Sequence, residues 1–249
     1  MSFNEKQLAM LGEMTTVKFV ATADGGGRPN IAPILTLCHY KDDFLAFGDF
    51  LMVKTKDNLL ENVRISILIM NEKLDYFTIK GTFEGFKTSG EAFGFVNSSP
   101  LIKYNAYTGI RSAGLVRAEL VSPVQSISKL KVVVQMLPGV IPGRTMGINS
   151  VVGEKFERVK ALKALAFLDE GHPVAIPVSI VRISGNTMYF RTDGCPTGAS
   201  GAMAVITADP VTYQVKGVLS CEKGNCSLRV EEIYSGGPPL PGRRIPLNI

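Results

Sequence analysis

The chain has 249 residues, of which 45% are hydrophobic and 20% are charged. This composition is typical of globular proteins and argues against disorder, except in the proline- and glycine-rich stretch Gly236–Gly242. The formal net charge of +5 comes from basic residues dispersed over both halves. Nucleic-acid-binding proteins cluster basic residues on one face or interleave them with aromatic residues, so we expect no nucleic-acid partner.

The sequence carries no sign of secretion or membrane insertion. Residues Met1–Lys6 lack the apolar core of a signal peptide, and no apolar run approaches the ~18 residues that span a bilayer. The cysteines are too few and too scattered for a disulfide framework. We therefore expect a cytoplasmic protein with no membrane partner and with reduced thiols at Cys38, Cys195, Cys221 and Cys226.

Hydrophobic periodicity predicts a helix followed by short strands in the first half. The helix covers Glu5–Thr15, where Leu8, Leu11 and Met14 share one face. The predicted strands are Val17–Ala21, Asn30–Cys38, Phe44–Gly48, Ile65–Met70, Tyr76–Glu84 and Gly114–Ser122. Short strands separated by polar turns and small helices are typical of a β-barrel.

The second half has the same order of elements. A helix over Ser126–Leu137 and a connector rich in proline and glycine, Pro138–Gly153, precede it. A helix over Glu154–Leu165 is then followed by strands at Val174–Ile183, Thr187–Arg191, Ala202–Thr207, Thr212–Ser220 and Ser227–Glu232. We predict a barrel at 1–125, a helix and connector at 126–153, and a second barrel at 154–249.

Two pairs of similar segments support a tandem repeat. Gly26–Ile34 (GGRPNIAPI) matches Glu170–Val178 (EGHPVAIPV), and each predicts a glycine-containing turn that leads into a proline-bearing strand. Near the end of each copy, Tyr76–Gly81 (YFTIKG) matches Thr212–Gly217 (TYQVKG). The predicted fold is therefore mainly β with short helices, in two related barrels.

Only the first copy continues into Lys54–Asn62 (KTKDNLLEN), which predicts a basic turn before a short helix. Thr55 is a candidate N-cap, and a helix beginning at Asn58 would direct its free N–H groups toward the two lysines. Such a helix start suits a phosphate, although basic, capped helix starts are also common on solvated surfaces. The second copy has Asp193–Gly201 instead, which predicts one anion site per chain.

Together these segments resemble the flavin-binding split-barrel family typified by pyridoxamine 5′-phosphate oxidase. The resemblance covers about residues 8–90 and rests on the order and spacing of Arg28–Ile34, the strand ending at Asp49, Lys54–Asn62 and Ile79–Gly81. It implies two tandem split barrels, flavin mononucleotide (FMN) as cofactor, and an oxidoreductase activity on an unidentified small-molecule redox partner. Members of the family are usually dimeric, so a homodimer is one expectation.

The resemblance also implies site residues. Lys54, Thr55 and Lys56 would hold the FMN phosphate with support from Asn58, and the backbone of Ala32–Thr36 would line one edge of the flavin ring. Proline cannot donate to a sheet ladder, which marks Pro33 as a place where backbone groups are free for a ligand. The predicted cofactor-binding residues are Asn30, Ala32, Pro33, Ile34, Leu35, Thr36, Asp49, Lys54, Thr55, Lys56 and Asn58.

Several alternatives remain open at this stage. The second copy lacks the phosphate lysines and is expected to serve as a partner barrel, paired either within the chain or between chains. A non-catalytic flavin carrier or sensor, or a protein that uses deazaflavin or haem, would have the same fold. No metal site is expected, because neither His39 nor His172 has a cysteine or carboxylate at ligand spacing. A lone cysteine pair such as Cys221–Cys226 is more often incidental than a zinc knuckle or a redox couple.

Overall fold

The structure is a computed structural model that describes residues 3–100, 109–128, 132, 147–237 and 240–247. Among these residues the helices are α1 (Glu5–Gly12), α2 (Lys54–Glu61), α3 (Glu91–Asn97) and α4 (Ser150–Glu157). Strands of the first half are β1 (Val17–Ala23), β2 (Pro29–Pro33), β3 (Cys38–Lys41), β4 (Phe44–Asp49), β5 (Arg64–Met70), β6 (Asp75–Lys87), β7 (Ser112–Val121) and β8 (Gln125–Ser126). Strands of the second half are β9 (Leu162–Asp169), β10 (His172–Val178), β11 (Val181–Ser184), β12 (Thr187–Arg191), β13 (Ser200–Ile206), β14 (Thr212–Glu222), β15 (Asn225–Ser235) and β16 (Arg244–Ile245).

The two halves have the same topology. The first sheet runs in the order β2-β1-β5-β6-β7-β4-β3, and the second runs in the order β10-β9-β13-β14-β15-β12-β11. Each strand of the first sheet therefore corresponds to the strand eight places later in the chain, and all neighbours pair antiparallel. This confirms the predicted architecture of two tandem split barrels.

A β-bulge lies at the matching lysine-glycine pair of each copy. The register of β6 against β7 shifts between Lys80 and Gly81, and that of β14 against β15 shifts between Lys216 and Gly217. A Cβ atom at Gly217 would overlap the backbone carbonyl of Arg229 across the strand pair. The repeated sequence therefore marks a backbone contact that only glycine permits.

Replacing Gly217 with alanine should lower the free energy of unfolding by about 1–3 kcal/mol, because the new methyl group must displace backbone. Gly94→Ala is the matched control: it lies in α3 with no atom within 4 Å of the added Cβ. We expect the control to gain about 0.5–1 kcal/mol, since alanine favours helix over glycine. Urea unfolding measures both variants, and equal effects would contradict the assigned bulge.

A buried lysine sits at the start of each barrel. Lys18 Nζ donates to the carbonyl of Glu13 at 2.9 Å, and Lys163 Nζ donates to the carbonyl of Arg158 at 2.7 Å. Glu13 and Arg158 are the C-cap residues directly after α1 and α4, so each lysine bonds to the end of the helix before its barrel. Burial lowers the pKa of both lysines to about 8. This second repeated feature was not predicted from the sequence.

The two barrels pack against each other within the chain. Strands β1, β2 and β5 of the first barrel meet β9, β10 and β13 of the second. Phe19 and Leu68 lie fully buried against a second-barrel surface of small residues, which allows the two sheets to approach closely. The shared hydrophobic cluster contains Val17, Phe19, Ala21, Ile31, Leu68, Met70, Leu162, Ala164, Ala166, Ala175, Ala202, Ala204 and Ile206.

Some predicted element bounds differ from the structure. The predicted strand Asn30–Cys38 is divided into β2 and β3 by a turn after Pro33. The predicted helix Glu154–Leu165 is wrong in its second half, because α4 ends at Glu157 and β9 begins at Leu162. Strand β9 is central and buried on both faces, so it lacks the alternation that reveals a strand. Most of the predicted helix Ser126–Leu137 lies outside the described residues.

No helix among the described residues has the length and apolar character needed to cross a bilayer.

Cys221 and Cys226 face each other on β14 and β15 and form a disulfide, so the expectation of four reduced thiols is wrong for this pair. Cys38 and Cys195 are free.

Candidate functional site

A cavity of about 560 Å³ lies where the two barrels meet. Its first wall is the end of β2 and the following turn, its second is the loop from β4 to α2, and its third comes from the second barrel and the C-terminal stretch. The lining residues are Asn30, Ile31, Ala32, Pro33, Ile34, Leu35, Thr36, Gly48, Phe50, Leu51, Met52, Val53, Lys54, Thr55, Ala204, Tyr213, Gln214, Tyr234, Ser235, Gly236, Gly237, Pro241 and Gly242.

The first wall is apolar but offers backbone donors. Strand β2 ends at Pro33, which has no N–H group with which to extend the ladder. The N–H groups of Leu35 and Thr36 donate to no backbone acceptor among the described residues. The Thr36 hydroxyl accepts from the N–H of Gly48 at 3.0 Å, which holds the turn against β4. The wall therefore suits a flat ligand with acceptor atoms at its edge.

The N-terminus of α2 opens toward this cavity. The helix begins at Lys54 and its N-cap, Val53, provides no side-chain cap. The prediction of a helix starting at Asn58 with Thr55 as N-cap is therefore wrong by one turn. Thr55 lies inside the first turn, where its hydroxyl accepts from Asn30 Nδ2 at 3.1 Å. The first N–H groups of the helix have no side-chain acceptor at the cap and favour an anion.

Lys54 is the most unusual group in the cavity. Its Nζ atom is buried, has no hydrogen-bond partner among the described residues, and lies 2.6 Å from the centroid of the Tyr234 ring. Burial is the main reason that the pKa of Lys54 falls to about 8, and nearby cations lower it further. A buried ammonium without an acceptor costs free energy that a bound anion would offset. The cations that lower its pKa are Lys216, Arg28 and Arg244.

The nearby acid already has partners. Glu232 Oε1 accepts from Arg28 at 3.1 Å, and Glu232 Oε2 accepts from the Tyr234 hydroxyl at 2.8 Å. Burial alone would raise the pKa of Glu232, but these hydrogen bonds and the Arg28 charge lower it below its usual value. The carboxylate therefore stays charged and raises the pKa of Lys54 without bonding to it. The uncompensated charge in the cavity is positive.

A buried amide network holds the cavity walls together. Gln214 Nε2 donates to Asn30 Oδ1 at 3.1 Å and also to the carbonyl of Ile31. Because Asn30 donates in turn to Thr55, one chain of hydrogen bonds joins β14, β2 and α2. On the other side of α2, Asn58 Nδ2 donates to the Thr22 hydroxyl at 3.1 Å. Hydrogen bonds within the protein therefore tie the cavity walls to one another.

The structure brings eight of the eleven predicted residues to the cavity wall: Asn30, Ala32, Pro33, Ile34, Leu35, Thr36, Lys54 and Thr55. It places Asp49, Lys56 and Asn58 behind the wall. Lys56 Nζ lies 2.8 Å from Asp49 Oδ2, and Arg111 lies 2.6 Å from Asp49 Oδ1. Burial would raise the pKa of Asp49, but the hydrogen bonds from Lys56 and Arg111 lower it. This group supports the loop that leads to α2.

The second barrel supplies lining residues that were not predicted. Gln214 and Tyr234 stand on β14 and β15, and the proline- and glycine-rich stretch after β15 also lines the cavity. The sequence predicted the second copy as a partner barrel but no site residues in it, because it lacks the phosphate lysines; in the structure its residues line the cavity. The similarity between Tyr76–Gly81 and Thr212–Gly217 identified the strand that carries Gln214, but it gave no indication of what that strand faces.

Comparison with known proteins finds similarity in structure alone. No family model and no curated protein matches the chain. HupZ from Group A Streptococcus is 20% identical, with a TM-score of 0.42, over 48% of this chain and 92% of that chain. An FMN-binding protein from Syntrophomonas wolfei is 19% identical, with a TM-score of 0.41, over 49% of this chain and 84% of that chain. HutZ, the heme storage protein from Vibrio cholerae, is 15% identical, with a TM-score of 0.36, over 51% of this chain and 95% of that chain.

Proposed function

We propose that the cavity between the barrels binds FMN and that the protein is a flavin-dependent oxidoreductase acting on a small molecule. The observation that carries the proposal is the buried ammonium of Lys54, which has no hydrogen-bond acceptor among the described residues, beside the N-terminus of α2, which has no side-chain cap there. The cavity volume of about 560 Å³ lies within the range of small-molecule and cofactor sites. A phosphate would satisfy Lys54 and the helix, and the apolar wall would take the ring.

Each wall has a separate task in this proposal. Lys54 and the first N–H groups of α2 hold the phosphate, and Thr55 is oriented for it by Asn30. The turn at Leu35 and Thr36 offers backbone donors to the polar edge of the ring. Bound FMN supplies the redox chemistry, and the protein orients it and tunes its potential through such donors. Lys56 contributes indirectly, because its ammonium is paired with Asp49.

Both barrels of one chain contribute residues to the cavity. Tyr213, Gln214 and Tyr234 of the second barrel form the wall opposite Ala32–Thr36. We propose that the second barrel stands in place of a partner subunit, so that cofactor binding needs one copy of the chain. Dimerisation stays a separate prediction that a mass measurement in solution checks.

FMN affinity should fall at alkaline pH. The ammonium form of Lys54 attracts the phosphate, and its pKa of about 8 in the ligand-free protein means that this form is lost as the pH rises through 8. The phosphate itself is already a dianion above pH 7. We expect about a tenfold rise in the dissociation constant between pH 7 and pH 9. Titration of the apoprotein by flavin fluorescence measures it, and Lys54→Ala should lose most of the dependence.

An absorbance spectrum of the purified protein from 300 to 600 nm tests the proposed cofactor, with mass identification of any released chromophore. Flavin bands and the mass of FMN support the proposal. A Soret band would indicate haem, and a deazaflavin mass would indicate that alternative. A colourless protein that does not take up added FMN would contradict cofactor binding altogether.

The catalytic part of the proposal needs a separate test. NADH or NADPH is added anaerobically to the FMN-loaded protein, and loss of the flavin absorbance reports reduction. Reduction followed by reoxidation with an acceptor supports an oxidoreductase. A flavin that stays oxidised with both nicotinamides would instead favour the carrier or sensor alternative.

A further inference from the structure

Three sulfur atoms converge in the second barrel, away from the cavity. The sulfur atoms of Cys195, Cys221 and Cys226 all lie within 4.8 Å of one another. Cys226 is 4% exposed and belongs to the barrel core, while the other two pack against that core. The remaining cysteine, Cys38, lies on β3 of the first barrel. We call Cys195, Cys221 and Cys226 the three-cysteine site.

The β14–β15 hairpin sets two of these positions. Lys223 and Gly224 connect the strands, with φ values of 48° and 79°. Positive φ at both residues is the geometry of a type I′ turn, which fixes the register of a hairpin. The register places Cys221 directly opposite Cys226. The turn therefore consists of Lys223 and Gly224.

The third cysteine is held against this hairpin from both sides. On one side, the Thr197 hydroxyl donates to the carbonyl of Cys221 at 2.6 Å and accepts from its N–H at 2.9 Å. On the other side, the N–H of Thr192 donates to the carbonyl of Gly224 at 3.1 Å. The loop that carries Cys195 is therefore held in place by hydrogen bonds to the backbone of the cysteine hairpin. These contacts account for the proximity of the three sulfur atoms.

The state of each sulfur limits what the cluster can do. Cys221 and Cys226 form a disulfide, and Cys195 is a free thiol beside it. A cation that binds these sulfur atoms takes them as thiolates, and the thiol protons are released to the solvent.

We propose that the reduced three-cysteine site binds a thiophilic cation of the Zn²⁺ class, and that the Cys221–Cys226 disulfide is its metal-free, oxidised state. Thiolate sulfur is a preferred ligand of zinc, and zinc sites with three protein ligands keep a fourth position for water or another ligand. Opening the disulfide consumes two electrons and two protons from a dithiol, which itself becomes a disulfide. Binding of one cation by three thiols then releases three protons. This proposal does not depend on flavin binding.

The test uses the full chain, reduced with a phosphine under anaerobic conditions and titrated with Co²⁺ and then Zn²⁺. Thiolate coordination gives a cobalt charge-transfer band in the near ultraviolet, and Zn²⁺ should displace it at one equivalent per chain. Cys195→Ser should weaken binding by more than about 100-fold, since even outer-shell substitutions cost about 10–100-fold. Cys38→Ser is the matched control and should bind as the wild type does.

The unreduced protein gives a second comparison that needs no variant. In the unreduced protein Cys221 and Cys226 are joined in a disulfide, so we expect no cobalt charge-transfer band before reduction. Cys195→Ser keeps the disulfide, and circular dichroism checks that it keeps the fold. The proposal is overturned if the reduced wild type shows no band, or if Cys195→Ser binds cobalt as tightly as the wild type.

Discussion

Lys54→Ala should remove most of the FMN affinity, whereas Lys56→Ala should leave it nearly unchanged. Lys54 Nζ is buried and unpaired beside the N-terminus of α2, but Lys56 Nζ is bonded to Asp49 at 2.8 Å. A charge-assisted hydrogen bond contributes about 1.5–3 kcal/mol, so we expect the dissociation constant of Lys54→Ala to rise by roughly 10–150-fold. Fluorescence titration of apoprotein with FMN at pH 7 measures the change.

The Lys56→Ala variant is a stringent control because Lys56 lies only two positions after Lys54 in the same helix. Its substitution leaves Asp49 with Arg111 at 2.6 Å and Ser112 at 3.3 Å, so the buried carboxylate keeps partners. Thermal unfolding of both apoproteins separates a loss of fold from a loss of binding. Equal weakening by Lys54→Ala and Lys56→Ala would show that the phosphate is not held as the geometry indicates.

Phe19→Ala should lower the free energy of unfolding by about 3–5 kcal/mol, the range for removing a buried aromatic side chain. Phe19 is 0% exposed and lies in the hydrophobic cluster shared by the two barrels. Its truncation leaves a cavity between the two sheets. The second-barrel side of this cavity consists largely of alanine side chains, which are too short to fill it by changing rotamer. Urea unfolding followed by circular dichroism measures the loss.

The control for this variant is Leu120→Ala on β7, where the leucine is 58% exposed. An exposed substitution of this kind usually changes stability by less than about 0.5 kcal/mol. If Phe19→Ala costs as little as Leu120→Ala, the two barrels do not share a core in solution. A separate unfolding step for one barrel in the variant would show that the shared cluster couples the two.

The sequence was most informative where a strand has one face in the core and one in solvent. Thr187–Phe190 alternates between half-buried and buried residues and Arg191 is exposed, and the predicted bounds Thr187–Arg191 agree with β12. Strand β9, buried over Leu162–Phe167, was missed because continuous burial leaves no period of two to detect. Strands that are central in a sheet are therefore the ones that periodicity finds least well.

The same limit applies to the candidate site: residues close together in the sequence were predicted, and residues brought together only by the fold were not. Ala32–Thr36 and Lys54–Thr55 lie in one stretch of chain, so their pattern could be compared with a family and matched to a wall of the cavity. Gln214 bonds to Asn30 across 184 residues, and no local spacing encodes that contact. Lys56 looked equivalent to Lys54, but helical geometry turns the two side chains to different surroundings.

The sequence by itself determined the tandem repeat, the fold class and the basic segment Lys54–Lys56 that only the first copy has, because each follows from short-range patterns of side chains. Only the tertiary structure decided which lysine faces the cavity, that the second barrel forms the opposite wall, and that three cysteines meet at one hairpin. Those outcomes depend on packing between strands far apart in the chain, where burial and neighbouring charges, rather than residue type, determine what each group can do.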